Sequence, residues 1–240
     1  MKHEHLPEGW RIAKLKEFLN QDRTYINELE DKWYPRISVK WWAKGAVVDK
    51  YDYGPDVQMT RHQLAKPGQI IVSEIWAKHG SIGIIPPDGE GALITSHFFL
   101  FDVINPELEQ EYIDTLVLAN YFMPQCAAQA KGSTGYASIR PDDFLICEFP
   151  LPPIDEQRRI AAVLRDADAS IAHVEAQIDA AREVKRGAMQ QLFTYGLAGE
   201  GAPTQETKIG DIPQHWQIVR LRDVTSESKK RNSKQNYDGK

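Results

Sequence analysis

The sequence contains no uninterrupted apolar run of about 18 residues, so a membrane-spanning helix is not expected. Its first residues, Met-Lys-His-Glu-His, lack the apolar segment of a secretory leader, which points to a cytoplasmic protein. Only two cysteines occur, Cys126 and Cys147, far apart in sequence and without metal-ligand spacing. Buried free thiols are the expectation. The histidines at 3, 5, 62, 79, 97, 173 and 215 form no metal-binding pattern. Missing too are a glycine-rich dinucleotide fingerprint after a strand, a nucleophile elbow, a His-Glu-x-x-His and the Asp/Asn-Pro-Pro-Tyr/Phe stretch that serves amino-methyltransferases. Gly80 to Gly83 is not followed by Lys-Ser/Thr, so a phosphate loop is rejected in favour of a hairpin turn. Asp142-Asp143 near Glu148 reads as a solvated turn rather than a metal site. No catalytic residue, no metal and no cofactor of its own are therefore expected.

Strong positive charge is also missing. The 240 residues carry 29 Lys and Arg against 34 Asp and Glu, a net charge of −5. A simple nucleic-acid binder is usually basic. The imbalance is local, however. Residues 101–130 hold Asp102, Glu107, Glu109, Glu111 and Asp114 with no Lys or Arg, and the rest of the chain is neutral. A local basic surface stays open.

What is present in abundance is one long helical pattern. Pro150-Leu-Pro-Pro-Ile-Asp-Glu-Gln-Arg-Arg-Ile160 opens a stretch with no further proline before Gly196. The prolines block a helix upstream, Asp155 can cap the first turn, and Glu156 suits the positive end of the helix dipole. Apolar residues then recur in steps of four and three. Ile160, Ala167, Val174, Ala181 and Ala188 form one row, and Leu164, Ile171, Ile178 and Leu192 the other, interrupted by Lys185. That spacing predicts a coiled coil over Asp155 to Tyr195, with Gly196 as the stop. At 1.5 Å per residue such a rod is roughly 60 Å long, too long to bury its seam on one small domain. An amphipathic helix packed on its own domain is the plainer alternative.

The chain also repeats itself. Leu6-Pro-Glu-Gly-Trp-Arg-Ile-Ala-Lys-Leu-Lys-Glu-Phe18 aligns with Ile212-Pro-Gln-His-Trp-Gln-Ile-Val-Arg-Leu-Arg-Asp-Val224. Pro7, Trp10, Ile12 and Leu15 recur as Pro213, Trp216, Ile218 and Leu221. One full unit and the opening of a second are thus expected.

Between these landmarks, residues 20–66 interleave aromatics with cations: Tyr25, Trp33, Tyr34, Arg36, Lys40, Trp41, Trp42 and Lys44. Such a mixture suits nucleic acid, though aromatics more often fill a core. Strands are expected at 36–41, 69–76 and 92–101, a helix at 107–129, a polar loop at 131–136 and short strands from Ile139 to Phe149. Without a regular alternation of strand and helix, the class is α+β. The final stretch, 229–234, has no apolar content and is expected to lack structure.

The opening Leu-Pro-Glu-Gly-Trp, the Pro-Leu-Pro-Pro-Ile-Asp-Glu-Gln-Arg-Arg-Ile junction and the restart at Ile212-Pro-Gln-His-Trp216 together resemble the specificity subunit of type I restriction–modification enzymes. The resemblance implies a mixed target recognition domain over 1–150, a long coiled-coil helix over 151–196, a linker over 197–211 and the start of a second repeat unit over 212–240. It implies a non-catalytic subunit that binds double-stranded DNA and docks a modification subunit, with a restriction subunit as a further partner. S-adenosylmethionine would belong to the modification subunit. Full-length members carry two recognition domains and two helices packed antiparallel; this sequence has one of each. Its seam is therefore expected to find its mate in a second copy, as a homodimer bridging two DNA half-sites. For phosphate contact or stacking, the candidates are Arg36, Lys40, Lys44, Lys78, Lys131 and Tyr136. For base edges they are Ser38, Ser81, Ser96, His97, Ser133 and Thr134. A coiled-coil adaptor that binds protein alone is the competing reading, favoured by the net charge.

Overall fold

The structure, a computed structural model, describes residues 6–58, 61–132 and 136–226. The basic stretch 229–234 and the candidates Ser133 and Thr134 lie outside them. The chain divides into two units, Met1–Ala169 and Ser170–Lys240. In order, the first contains β1 (Arg11–Lys14), β2 (Leu19–Asp22), β3 (Trp33–Val39), β4 (Ala46–Tyr53), β5 (Gln63–Leu64), β6 (Ile70–Ser73), β7 (Ile82–Ile84), β8 (Leu93–Ile94) and β9 (Phe98–Val103). Helices α1 (Gln110–Leu118), α2 (Met123–Gln129) and α3 (Pro141–Leu145) follow, then β10 (Glu148–Leu151) and the long α4 (Ile154–Tyr195), which continues into the second unit. Mixed sheet and helix followed by one long helix is the α+β arrangement that the sequence predicts.

Three layers make the first unit. Sheet β2-β9-β6-β7 is covered on one side by helices and on the other by sheet β4-β3-β8-β5. The period-two rule shows directly in β6, where Ile70 and Val72 join the cluster beneath the helices and Ile71 joins the cluster between the sheets. Phe101 and Leu100 of β9 divide in the same way. This explains why both strands read as continuous apolar runs. A group of edge-on aromatic pairs, Phe18–Phe149, Phe122–Phe144 and Phe122–Phe149, anchors the helical side. Each fully buried ring or Ile adds about 1.5–3 kcal/mol of apolar burial.

Several sequence readings are corrected. The run 92–101 is two strands in different sheets, because Thr95–His97 breaks the ladder. The single helix expected over 107–129 is two, separated where Asn120 adopts φ 60°. Residues 141–145 form α3 rather than a strand: Pro141 occupies the first turn and Arg140 N–H donates to Asp143 Oδ2 at 2.8 Å. Tyr34 is buried and its hydroxyl accepts from Glu30 N–H, so this aromatic is core. Cys126 and Cys147 are buried free thiols; a bond with Cys147 and burial push the Cys126 thiol up.

The helix start is held to the first unit by a closed set of hydrogen bonds. β1 pairs antiparallel with β10, Arg11 opposite Leu151 and Lys14 opposite Glu148. The far edge of β10 is capped by side chains. Gln125 bonds both N–H and C=O of Glu148 at 2.7 Å, and the Tyr112 hydroxyl donates to Pro150 C=O at 2.7 Å. Trp10 Nε1 donates to Glu156 Oε2 at 2.9 Å. Gln157, fully buried, donates to the carbonyls of Glu107 and Pro152 and accepts from Glu109 N–H, each at 2.9 Å. Ala161 is buried beside it and Ile160 packs against the aromatic cluster, so the first seam position is used by the helix's own domain.

From Val163 onward the helix is exposed until its last turn. Leu164, Ile171, Val174, Ile178 and Leu192 each keep roughly half their surface open, with Val163, Val184, Met189 and Phe193 widening the apolar face. Gly196, at φ 67°, ends the helix at the position the sequence marks.

In the second unit, β11 (Thr204–Thr207) and β12 (Gly210–Pro213) form a hairpin across part of the segment read as a linker. A short α5 (Leu221–Val224) follows. Both repeat copies make the same turn: Trp10 N–H donates to Pro7 C=O at 3.1 Å, and Trp216 N–H to Pro213 C=O at 2.9 Å. They differ afterwards. Leu15 is fully buried, whereas Leu221 is 77% exposed. Residues 217–220 form no strand, because no counterpart of β10 stands beside them among the described residues.

Two carboxyls give the fold opposite pH dependences. Burial alone would raise Asp22, but bonds from Thr24, Gln69 and Lys66 overcome it and hold the group at about 2. A depressed carboxyl stabilises the fold fully above its unfolded value near 3.9, here by about 2 kcal/mol, and the contribution disappears as pH falls through about 2. Asp114 is pushed up to about 6 by burial, with Glu111 adding and a bond from Gln110 opposing. Its neutral form favours the fold below about 3.9, and that advantage is lost as pH rises through about 6. Asp22→Asn is expected to lower Tm at pH 7 and to approach wild type at pH 2. Asp114→Asn is expected to raise Tm at pH 7 and change little at pH 4. Thermal melts across pH 2–8 check both.

Candidate nucleic-acid interface

The inner face of sheet β4-β3-β8-β5 is core; its outer face is open. A bulge between Arg36 and Ile37 sets which residues point where. Tyr34, Ile37 and Val39 point inward, spaced by three and then two. Arg36, Ser38 and Lys40 fall on the opposite side. With Trp41, Thr95 and Phe98 they line a groove of about 600 Å³. Arg36 and Thr95 also line an adjoining groove of about 390 Å³, with Trp33, Tyr51 and Tyr53. Trp33 and Tyr53 rings lie 5.4 Å apart there.

This face is charge-balanced, which the sequence reading missed. Arg36 Nε is 2.7 Å from Asp52 Oδ2. Lys40 Nζ is 3.8 Å from Asp49 Oδ2, and the Ser38 hydroxyl donates to the same carboxylate oxygen. That bond, reinforced by Lys40 and Lys50, holds the Asp49 carboxyl below its usual range, so it stays ionised. Asp49 and Asp52 lie on β4, a strand whose pairing with β3 was not read from the sequence. The alternating run Val47-Val48-Asp49-Lys50-Tyr51-Asp52-Tyr53 was the available signal. Fixed carboxylates repel phosphates yet accept from cytosine amino groups, while an oriented Arg suits guanine.

The segment 73–81 draws the remaining candidates to one corner. Glu74 N–H donates to His97 C=O, and Ile139 N–H to Glu74 C=O. Lys78 Nζ donates to Ala137 C=O at 2.8 Å. The turn 40–45 joins through Trp42 N–H to His79 C=O and Ala43 N–H to Gly80 C=O. Lys44, Ser96, His97, Lys131 and Tyr136 are all exposed around this corner. His97 Nδ1 is 3.7 Å from Glu74, and Lys131 Nζ is 3.6 Å from Asp143. Ser81 does not belong: it is 2% exposed and its hydroxyl donates to Val39 C=O, a structural bond between layers. Among the described residues, no cluster of His, Cys, Asp and Glu is placed to hold a metal.

Residues 7–181 match the family model described as "Type I restriction modification DNA specificity domain". The chain belongs to this family. It is 26% identical over 226 residues to the type I restriction enzyme MjaVIII specificity subunit of Methanocaldococcus jannaschii, covering 91% of this chain and 50% of that one. The putative MjaX specificity subunit of the same organism is 27% identical over 229 residues, 90% of this chain and 52% of the other. The chain thus spans about half the length of these curated relatives. In fold it is similar to the HsdS subunit from Thermoanaerobacter tengcongensis, with a TM-score of 0.56, 23% identity and coverage of 84% of this chain and 53% of that one. No helix among the described residues is long and apolar enough to cross a membrane.

For a specificity domain, the two kinds of charge on this surface separate experimentally. Lys44 has no carboxylate beside it in the turn sequence and should contact phosphate. Lys44→Ala is expected to weaken binding to random-sequence duplex and reduce the salt slope by about one. Lys40→Ala and Lys131→Ala should each weaken it at least as much, since Asp49 and Asp143 would be left uncompensated and repel phosphate. Asp52→Asn should instead strengthen random binding by removing a repulsion. Anisotropy titrations between 50 and 200 mM salt, on the scale at which phosphate contacts respond, check these outcomes.

Proposed function

We propose that this chain is a non-catalytic, sequence-specific DNA recognition subunit of a type I restriction–modification complex, working as a pair of copies joined along α4. Family membership over residues 7–181 is the observation that carries the DNA-reading role. The outer face of sheet β4-β3-β8-β5 and the corner around 73–81 supply the surface. The exposed seam from Leu164 to Leu192 supports the pairing. Covering five half-exposed Leu, Ile and Val side chains on each copy recovers about 1 kcal/mol per side chain. The total, about 10 kcal/mol over two copies, falls inside the range of about 4–15 kcal/mol that association costs.

In this reading two heads, set apart by the helices, read an interrupted palindrome in cytoplasmic DNA. A modification subunit docks on the pair and holds S-adenosylmethionine, and a restriction subunit can join. The chain itself performs no chemistry. The ion-paired cations of the open face favour one competing reading, a coiled-coil adaptor that binds only protein.

Light scattering of the 240-residue chain is expected to give a dimer at micromolar concentration. Ile171→Asp with Ile178→Asp should give a monomer, because a carboxylate placed twice in the seam cannot be buried unpaired. Selection from a randomised duplex pool should return a bipartite inverted repeat for the dimer. A monomeric wild type would remove the pairing. Failure to bind any duplex at low salt would leave the adaptor reading in possession.

A further inference from the structure

We propose that Trp42, at the tip of the β3–β4 hairpin, is a DNA wedge: its indole enters a groove of the duplex and stacks at a base step beside a phosphate held by Lys44. The inference rests on the DNA-reading role proposed above and assigns a contact within it.

The backbone is the first observation. Lys44 N–H reaches back to Trp41 C=O at 3.4 Å, closing a turn whose central residues are Trp42 and Ala43. Both have positive φ, 60° and 53°. Turns of this kind prefer Asn-Gly, because a Cβ in the left-handed region meets its own carbonyl, at about 1–2 kcal/mol per residue. Strain of this sort tends to accumulate where a side chain has a task.

The turn is also held rigidly. Trp42 and Ala43 donate to His79 and Gly80 carbonyls, each at 2.9 Å. Gly80, at φ 76°, allows the close approach. A Cβ there would lie 2.5 Å from Asn120 Oδ1 and 3.1 Å from Ala43 N and Trp42 Cα. The strained hairpin is therefore locked to its neighbour by backbone contact rather than by the Trp42 ring.

The side chains complete the case. Trp41 stacks on His79 with centroids 5.4 Å apart, and Trp76 packs tilted against both, at 4.9 and 5.8 Å. Trp42 takes no part in that cluster and remains 59% exposed. The two turns, 40–45 and 76–80, carry Lys40, Lys44, Lys78 and His79 and no Asp or Glu. Lys40 shares Asp49 and Lys78 donates to Ala137 C=O, so Lys44 is the cation of these turns that stands beside the exposed indole without a carboxylate in its own turn, and the pair fits a polyanion with stackable faces. Inserted side chains of this sort unstack a base step and kink the duplex, and aromatic stacking on bases is worth roughly tenfold or more in affinity.

Trp42→Gly separates this role from packing, because glycine relieves the left-handed strain. The full 240-residue chain is titrated with fluorescein-labelled random-sequence duplex at low salt and melted in parallel. Trp42→Gly is expected to bind roughly tenfold or more weakly while its Tm rises by about 2–4 °C. Trp42→Phe, which keeps an aromatic face at the same strain, should retain most of the binding. Wild-type affinity in Trp42→Gly overturns the wedge and leaves the DNA-reading role standing. A fall in Tm that parallels the loss of binding assigns the indole to packing and also overturns it. A wild-type chain that binds no duplex removes the DNA role itself.

Discussion

The joint between β10 and α4 is the constraint on which the rest of the first unit depends. Gln157 places a primary amide among three backbone groups and satisfies all of them with water excluded. Such a group is costly to leave unmade, since each orphaned partner carries a desolvation penalty of about 1–3 kcal/mol. Trp10 on Glu156 and the β1–β10 ladder close the same joint from the N-terminal side. Residues far apart in sequence thereby fix the direction in which α4 leaves its domain. Under the proposed pairing, a seam that meets another helix is useful only if its origin is rigid.

Layering then decides what the domain can show to a partner. Because sheet β2-β9-β6-β7 is buried on both faces, the proposed recognition surface falls to the outer sheet and to the loops at its corner. There the cations come ready-paired. Arg36 with Asp52 and Lys40 with Asp49 are held in fixed directions, which lowers their attraction to phosphate and favours geometric readout. The turns 41–45 and 76–80 differ: they are aromatic and cationic, and neither contains an Asp or Glu. In the proposed DNA-reading role, a surface built this way divides its labour between discrimination in the groove and grip beside it. A net charge of −5 is compatible with both, since the acids of 101–130 lie on other elements.

The two repeat copies show how far local sequence reaches. Each makes the same Pro-to-Trp turn, because that bond spans three residues and needs nothing else. Beyond it, Leu15 meets Cys147 C=O through its N–H and an aromatic core through its side chain, while Leu221 faces outward. The same residues become core or surface according to what stands beside them.

By itself the sequence determined the α+β class, the long helix with its proline start and Gly196 stop, the internal repeat and the family. The first three are set by local rules, periodicity, excluded φ values and spacing along one chain, and the family by the resemblance of the opening, junction and restart motifs. Only the tertiary structure decided that Ile160 packs on its own domain, that Ser81 is an inner bond, that Asp49 and Asp52 clamp the candidate cations and that Trp42 stands on a strained turn. Those facts come from hydrogen bonds and contacts between strands distant in sequence, and no pattern within a window of neighbours encodes which strand will lie against which.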